Sequence, residues 1–199
     1  MKGRELLIGV TGGIAAYKTA ALVSQLVQAG AGVTVVMTEC ATRLVGPKTF
    51  EALTGRPVRT DTFGLGAHPH IELAQQAEVL CVAPATANLL AKAACGLADD
   101  LLSTVLLAFA GPAILAPAMN AEMWRKPAVQ RNVAQLVADG FAMIDPEEGY
   151  LSCGTVGPGR MASPEKIFEV IAAALEKTPR GSVSPRPSSA SRSDATTWT

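Results

Sequence analysis

The sequence predicts an α/β fold, a doubly wound parallel sheet of five to six strands built as a flavodoxin-like or Rossmann-like three-layer sandwich. Three observations predict it. Short apolar runs recur without polar alternation, as strands buried on both faces require. Helical patterns separate them, so the strands are joined by crossovers. Turn-forming or small polar residues follow the runs, where open α/β sheets bind ligands.

In chain order, Leu6 to Val10 is the first strand, ending in Thr11-Gly12-Gly13, and Ile14 to Ala29 is a helix stopped by Gly30 to Gly32. Val33 to Met37 is a second strand with Thr38-Glu39-Cys40 at its end. Pro47 to Leu53 reads as a short helix and Thr54 to Pro69 as a loop broken by glycine and proline. A helical turn from His70 to Gln76 precedes a third strand, Glu78 to Ala83, which Pro84 is expected to end. Thr86 to Ala94 and Asp99 to Phe109 are helical around Gly96, and Ala113 to Ala116 is the fourth strand. Pro117 to Trp124 follows as a loop, Pro127 to Ala138 as a helix and Phe141 to Ile144 as a short fifth strand. Glu148 to Met161 reads as a glycine-rich loop and Pro164 to Glu176 as a closing amphipathic helix. We therefore expect one domain over 1–177 and a disordered Ser/Pro-rich tail over 178–199.

Of the 199 residues, 49% are hydrophobic and 17% charged, a low charge content that points to apolar surface hidden against other subunits. The formal net charge is zero without like-charge blocks, which argues against nucleic acid as the main partner. No apolar run is long enough to span a membrane, and the N-terminus lacks signal-peptide architecture. The four cysteines form no C-x-x-C pair, so a reduced, cytoplasmic protein is expected. Cys81 sits in an apolar strand as inert core, and Cys40 and Cys95 read as small fillers.

Gly12-Gly13-Ile14-Ala15-Ala16-Tyr17-Lys18 opens a helix after a strand, where backbone can approach a phosphate; a plain tight turn is the competing reading. It is neither a G-x-G-x-x-G fingerprint nor a P-loop. Thr38 suits a phosphate oxygen better than a ribose diol, with Glu39 the ribose candidate and a solvated loop the alternative. Thr86 and Asn88 can bond a ligand, cap a helix, or do both. Asp99 and Asp100 read as helix-start carboxylates rather than an acid/base pair. His70 can carry a proton near neutral pH, but His68 and His70 have no accompanying ligands and no metal site is expected. Cys153, flanked by Ser152 and Gly154, lies in a segment suited to a lid.

Together and in this order, these motifs resemble the homo-oligomeric flavin-containing cysteine decarboxylase family across residues 5 to 177. The matching elements are Gly12 to Lys18, His70-Ile71-Glu72-Leu73, Pro84 to Asn88, Pro117-Ala118-Met119-Asn120 with Met123-Trp124, and Cys153-Gly154 to Gly159-Arg160-Met161. The resemblance implies FMN held by Gly12, Gly13, Ile14, Thr38, Thr86, Ala87, Asn88 and Ser103. It implies His70 as general base, Asn120 as holder of the substrate carboxylate and Cys153 as proton donor in a final reduction. Met119, Met123, Gly154, Arg160 and Met161 would join Asn120 and Cys153 around the substrate. The implied reaction is decarboxylation of a terminal cysteine through a thioaldehyde. The substrate is phosphopantothenoylcysteine in coenzyme A biosynthesis or, alternatively, a peptide ending in cysteine that becomes an enethiol. The family also implies a homotrimer, or a dodecamer of trimers, with the site at a subunit contact. Two relatives of the same fold, phosphatase-binding regulatory subunits and flavin prenyltransferases, fit less well: acidic extensions are absent, and His70, Asn120 and Cys153 occur together.

Overall fold

A computed structural model describes residues 1–62, 68–150, 154 and 156–179. Cys153 lies outside the described residues, as does the expected tail beyond Pro179. The sheet contains β1 (Glu5–Val10), β2 (Gly32–Met37), β3 (Val79–Ala85), β4 (Ala113–Pro117) and β5 (Ala142–Met143), all parallel in the order β2-β1-β3-β4-β5. That is the flavodoxin-like order, with the chain reversing its winding direction between β1 and β3.

Alternate strand residues feed two separate cores, which is what makes the molecule three-layered. Leu6, Ile8, Val10, Val33, Val35 and Cys81 face one side, packing against α1 (Ala16–Gln28), α3 (Pro47–Thr54) and α9 (Pro164–Lys177). Leu7, Val36, Leu80, Val82 and Leu115 face the other, against α4 (Pro69–Gln76), α5 (Ala87–Cys95), α6 (Leu101–Ala108) and α8 (Pro127–Ala138). Gly9 is where β1 meets α6 most closely: a Cβ there would lie 2.6 Å from Leu102 Cδ1. At the far end of the sheet Arg4 is buried against Glu78 at 2.6 Å and also donates to the Thr178 carbonyl at 2.8 Å, tying α9 to the strand starts.

Four features depart from expectation. Pro84 does not end β3; the strand continues to Ala85, and its register with β4 shifts between Val82 and Ala85, where proline has no N–H to give the ladder. The loop after β4 contains a short helix, α7 (Ala121–Arg125), and α2 (Glu39–Thr42) follows β2. The glycine-rich stretch pairs as an antiparallel ribbon, β6 (Glu147–Tyr150) with β7 (Val156–Arg160). Cys40 and Cys95 are exposed rather than buried fillers, because each lies at the solvent end of a helix. Cys81 is fully buried, and desolvation pushes its thiol up to about 12.

Candidate active site

The carboxyl ends of β1, β3 and β4 converge on one cleft, and buried threonines hold them together. The Thr11 hydroxyl donates to the Pro84 carbonyl at 2.7 Å and accepts from the Thr86 N–H at 3.2 Å, bridging β1 to β3. Thr19, from the first turns of α1, donates to the Ala83 carbonyl at 2.7 Å. Gly12 must be glycine for space, because a Cβ there would collide with the Cys40 side chain. α1 begins without a side-chain cap, so nothing of its own competes for an anion at that helix start.

The third wall is built after β4. Asn120 caps α7, its Oδ1 accepting the Glu122 N–H at 2.8 Å. Next to it, the Met119 N–H donates to the Gly159 carbonyl at 2.9 Å, which pins the β6–β7 ribbon over the strand ends. Gly159 has φ +121, and a Cβ there would collide with the Met119 carbonyl; no other residue allows this approach.

The result is a cavity of about 620 Å³, the size of a cofactor-plus-substrate site. Gly12, Gly13, Ile14, Thr86, Ala87, Met119, Asn120, Met123 and Arg160 line it. A neighbouring hollow of about 460 Å³ shares Gly12, Thr86, Ala87 and Met123 with it and adds Thr38 and Asn88. Thr38 and Thr86 also cap α2 and α5, their hydroxyls accepting from Ala41 and Leu89 N–H groups at 3.4 Å. Capping and lining the cleft are thus combined in the same two side chains.

Four expected residues lie elsewhere. Ser103 is buried in the capping box of α6, exchanging bonds with Asp100, and lines neither of these hollows. Met161 is 1% exposed and packs in the core on the α1 side, just beyond the end of β7, whereas its neighbour Arg160 is exposed. Gly154 does not line the cavity. His70 sits in the first turn of α4, outside the cavity within this chain, with Nδ1 buried and without a hydrogen-bond partner among the described residues. Its ring centroid is 6.4 Å from that of His68.

Tyr17 and Lys18, named in the sequence only as the end of the Gly12 to Lys18 motif, line the cavity too, as does Tyr150. Lys18 was legible in principle, because it stands in the first turn of the helix that the Gly12-Gly13 motif opens. Tyr150 carries no comparable signal. Burial and the neighbouring Arg160 hold the Lys18 ammonium below its ordinary value, with Glu147 opposing them. Lys92, at the base of the second hollow, bridges Asp99 at 2.5 Å and Asp100 at 2.8 Å. No group of His, Cys, Asp and Glu among the described residues could hold a metal ion, and no helix there is long and apolar enough to cross a membrane.

Residues 1–176 match the Flavoprotein family. The chain belongs to that family. Within it, this flavoprotein is 51% identical over 173 residues to the coenzyme A biosynthesis bifunctional protein CoaBC of Bacillus subtilis (strain 168), covering 85% of the chain and 43% of that relative. The chain thus spans less than half the length of the curated relatives it matches. Among solved structures it resembles the FMN-dependent cysteine decarboxylase SpaF, with TM-score 0.74, 40% identity and coverage of 87% and 98% of the two chains. It also resembles a PPC decarboxylase variant complexed with pantothenoylaminoethenethiol, with TM-score 0.79, 29% identity and coverage of 88% and 100%.

Proposed function

We propose that this flavoprotein is an FMN-dependent carboxy-lyase that decarboxylates phosphopantothenoylcysteine on the route to phosphopantetheine. The observation that carries the reading is one cavity uniting a glycine and threonine rim with Met119, Asn120 and Met123. The 51% identity to a coenzyme A biosynthesis protein supports the choice of substrate. A second reading takes a peptide ending in cysteine as substrate, and the 40% identity to the FMN-dependent cysteine decarboxylase SpaF fits either reading.

The residues fit FMN. Gly12 and Gly13 leave the backbone open beside α1, Thr38, Thr86 and Asn88 offer polar groups for the phosphate and ribityl chain, and Ile14, Met119 and Met123 offer apolar surface for the ring. When bound, FMN supplies reversible two-electron redox chemistry, which the side chains of this protein lack. A cysteine carboxylate has no acceptor for the electron pair released with carbon dioxide. A C=S group β to that carboxylate provides one, as a β-keto acid does. Asn120 holds the carboxylate in the cavity, His70 removes a proton during oxidation, and Cys153 returns one when the enethiol is reduced.

His70 stands outside the cavity of its own chain, which supports a homotrimer or dodecamer of trimers in which a neighbour completes each site. We assign residues 1–177 to this unit, in a cytoplasmic setting. The test is incubation of the yellow protein with phosphopantothenoylcysteine and, separately, a peptide ending in cysteine, followed by mass spectrometry. Carbon dioxide loss from the first substrate, ending at the thiol, is expected. Turnover of the peptide alone, stopping at the enethiol, would replace this reading with the second.

A further inference from the structure

We infer that Lys18 and Arg160 form a subsite for the terminal phosphomonoester of the substrate, an inference that rests on the reading above. Among the described residues lining the 620 Å³ cavity, these two alone are charged and no carboxylate is among them, although Glu147 nearby opposes part of the Lys18 charge. Several cations elsewhere are paired: Arg4 with Glu78, Arg56 with Glu5, Lys92 with Asp99 and Asp100, and Arg125 with Glu122. Lys18 and Arg160 make no ion pair with any described residue. Glu147, opposite Arg160 in the ribbon, instead accepts the Ser163 N–H at 3.1 Å at the start of α9. Burial first, and the Arg160 charge second, lower the Lys18 pKa against the opposing pull of Glu147, so the two cations share the cleft at a cost. A bound dianion removes it.

Three anions compete for this place. The FMN phosphate has its polar groups in the second hollow, with Thr38 and Asn88, which neither Lys18 nor Arg160 lines. The cysteine carboxylate is taken by Asn120. The phosphate at the opposite end of phosphopantothenoylcysteine remains. Lys18 reaches the cavity from α1 and Arg160 from the ribbon, so an anion held by both ties the ribbon to α1. The guanidinium lies across Gly149, where a Cβ would stand 3.1 Å from Nη1. Tyr17 and Tyr150 line the same cavity and add phenolic donors. A peptide substrate has no group that demands this pair.

The experiment is calorimetric binding of phosphopantetheine and of pantetheine to the intact FMN-loaded oligomer at low salt. The native protein is expected to prefer the phosphorylated ligand by about tenfold or more, a preference that shrinks as ionic strength rises. In the Lys18→Gln/Arg160→Gln variant the preference is expected to vanish while the protein stays yellow. Arg160→Lys, which keeps the charge, retains part of it. Equal binding of both ligands by the native protein overturns the inference, as does a preference that survives in the double variant. Flavin loss with parallel weakening of both ligands also overturns it, by reassigning the pair to the cofactor phosphate. Binding is read without turnover, so a protein that prefers phosphopantetheine but decarboxylates nothing would sink the reaction and leave the subsite standing.

Discussion

Asn120 carries two jobs, and they can be separated by one atom. As the cap of α7 it needs only an acceptor, which aspartate supplies as well as asparagine. As holder of a substrate carboxylate it must not be an anion, because like charges in contact cost several kcal/mol. Asn120→Asp is therefore expected to keep its flavin absorbance and melting temperature while turnover falls on the order of 100-fold or more. Undiminished turnover would remove Asn120 from the site. The cysteines divide just as sharply. With burial pushing Cys81 up to about 12, its thiolate is negligible at pH 8, whereas Cys40 and Cys95 are exposed. Alkylation at pH 8 followed by peptide mapping is expected to mark Cys40 and Cys95 in the native protein and Cys81 only after unfolding. The inertness of Cys81 was readable from its apolar neighbours, but the exposure of the other two depended on which helix end each occupies.

At the scale of elements, the start of α6 shows how a helix cap and an ion pair reinforce one another. Burial raises the Asp100 pKa, but the Lys92 ammonium and the Ser103 N–H and hydroxyl outweigh it and hold the carboxyl low. A depressed carboxylate stabilises the fold above its ordinary titration range and loses that contribution as the pH falls through the lowered value. Asp100→Ala is thus expected to cost about 1 kcal/mol at pH 7, within a range of roughly 0.5–2. The melting temperatures of variant and native protein should begin to converge as the pH falls below about 4 and meet only below the lowered Asp100 value, and a gap that widened in acid would contradict the account. This capping role was legible in the sequence. The ribbon of β6 and β7 was not, because glycine and proline at Gly149, Gly157, Pro158 and Gly159 look like loop rather than strand. Tertiary contacts tie it down, among them the Met119 N–H to Gly159 carbonyl bond and the Ser163 N–H to Glu147 bond.

The whole molecule poses the question of His70. Its side chain does not reach the cavity of its own chain, although its sequence motif resembles that of a catalytic base. If neighbouring subunits complete each other's sites, inactive His70→Asn and Asn120→Asp chains should rescue one another when mixed in one oligomer. A random equal mixture places an intact pair at about one site in four, so about a quarter of native activity is expected, measured on co-expressed, co-purified protein. No recovery, in oligomers shown by mass spectrometry to be mixed, would require each chain to build its site alone.

The sequence by itself determined the parallel sheet, its helices and the segments at its strand ends, because apolar runs and helix starts are local patterns that survive in one dimension. It also carried the motifs of the cleft, from Gly12 to Asn120. Only the tertiary structure decided which of those residues meet. Ser103 went to a helix cap, Met161 to the core and Lys18 to the cavity wall. Such outcomes depend on which face of an element points inward, and that is settled by packing against partners distant in the chain.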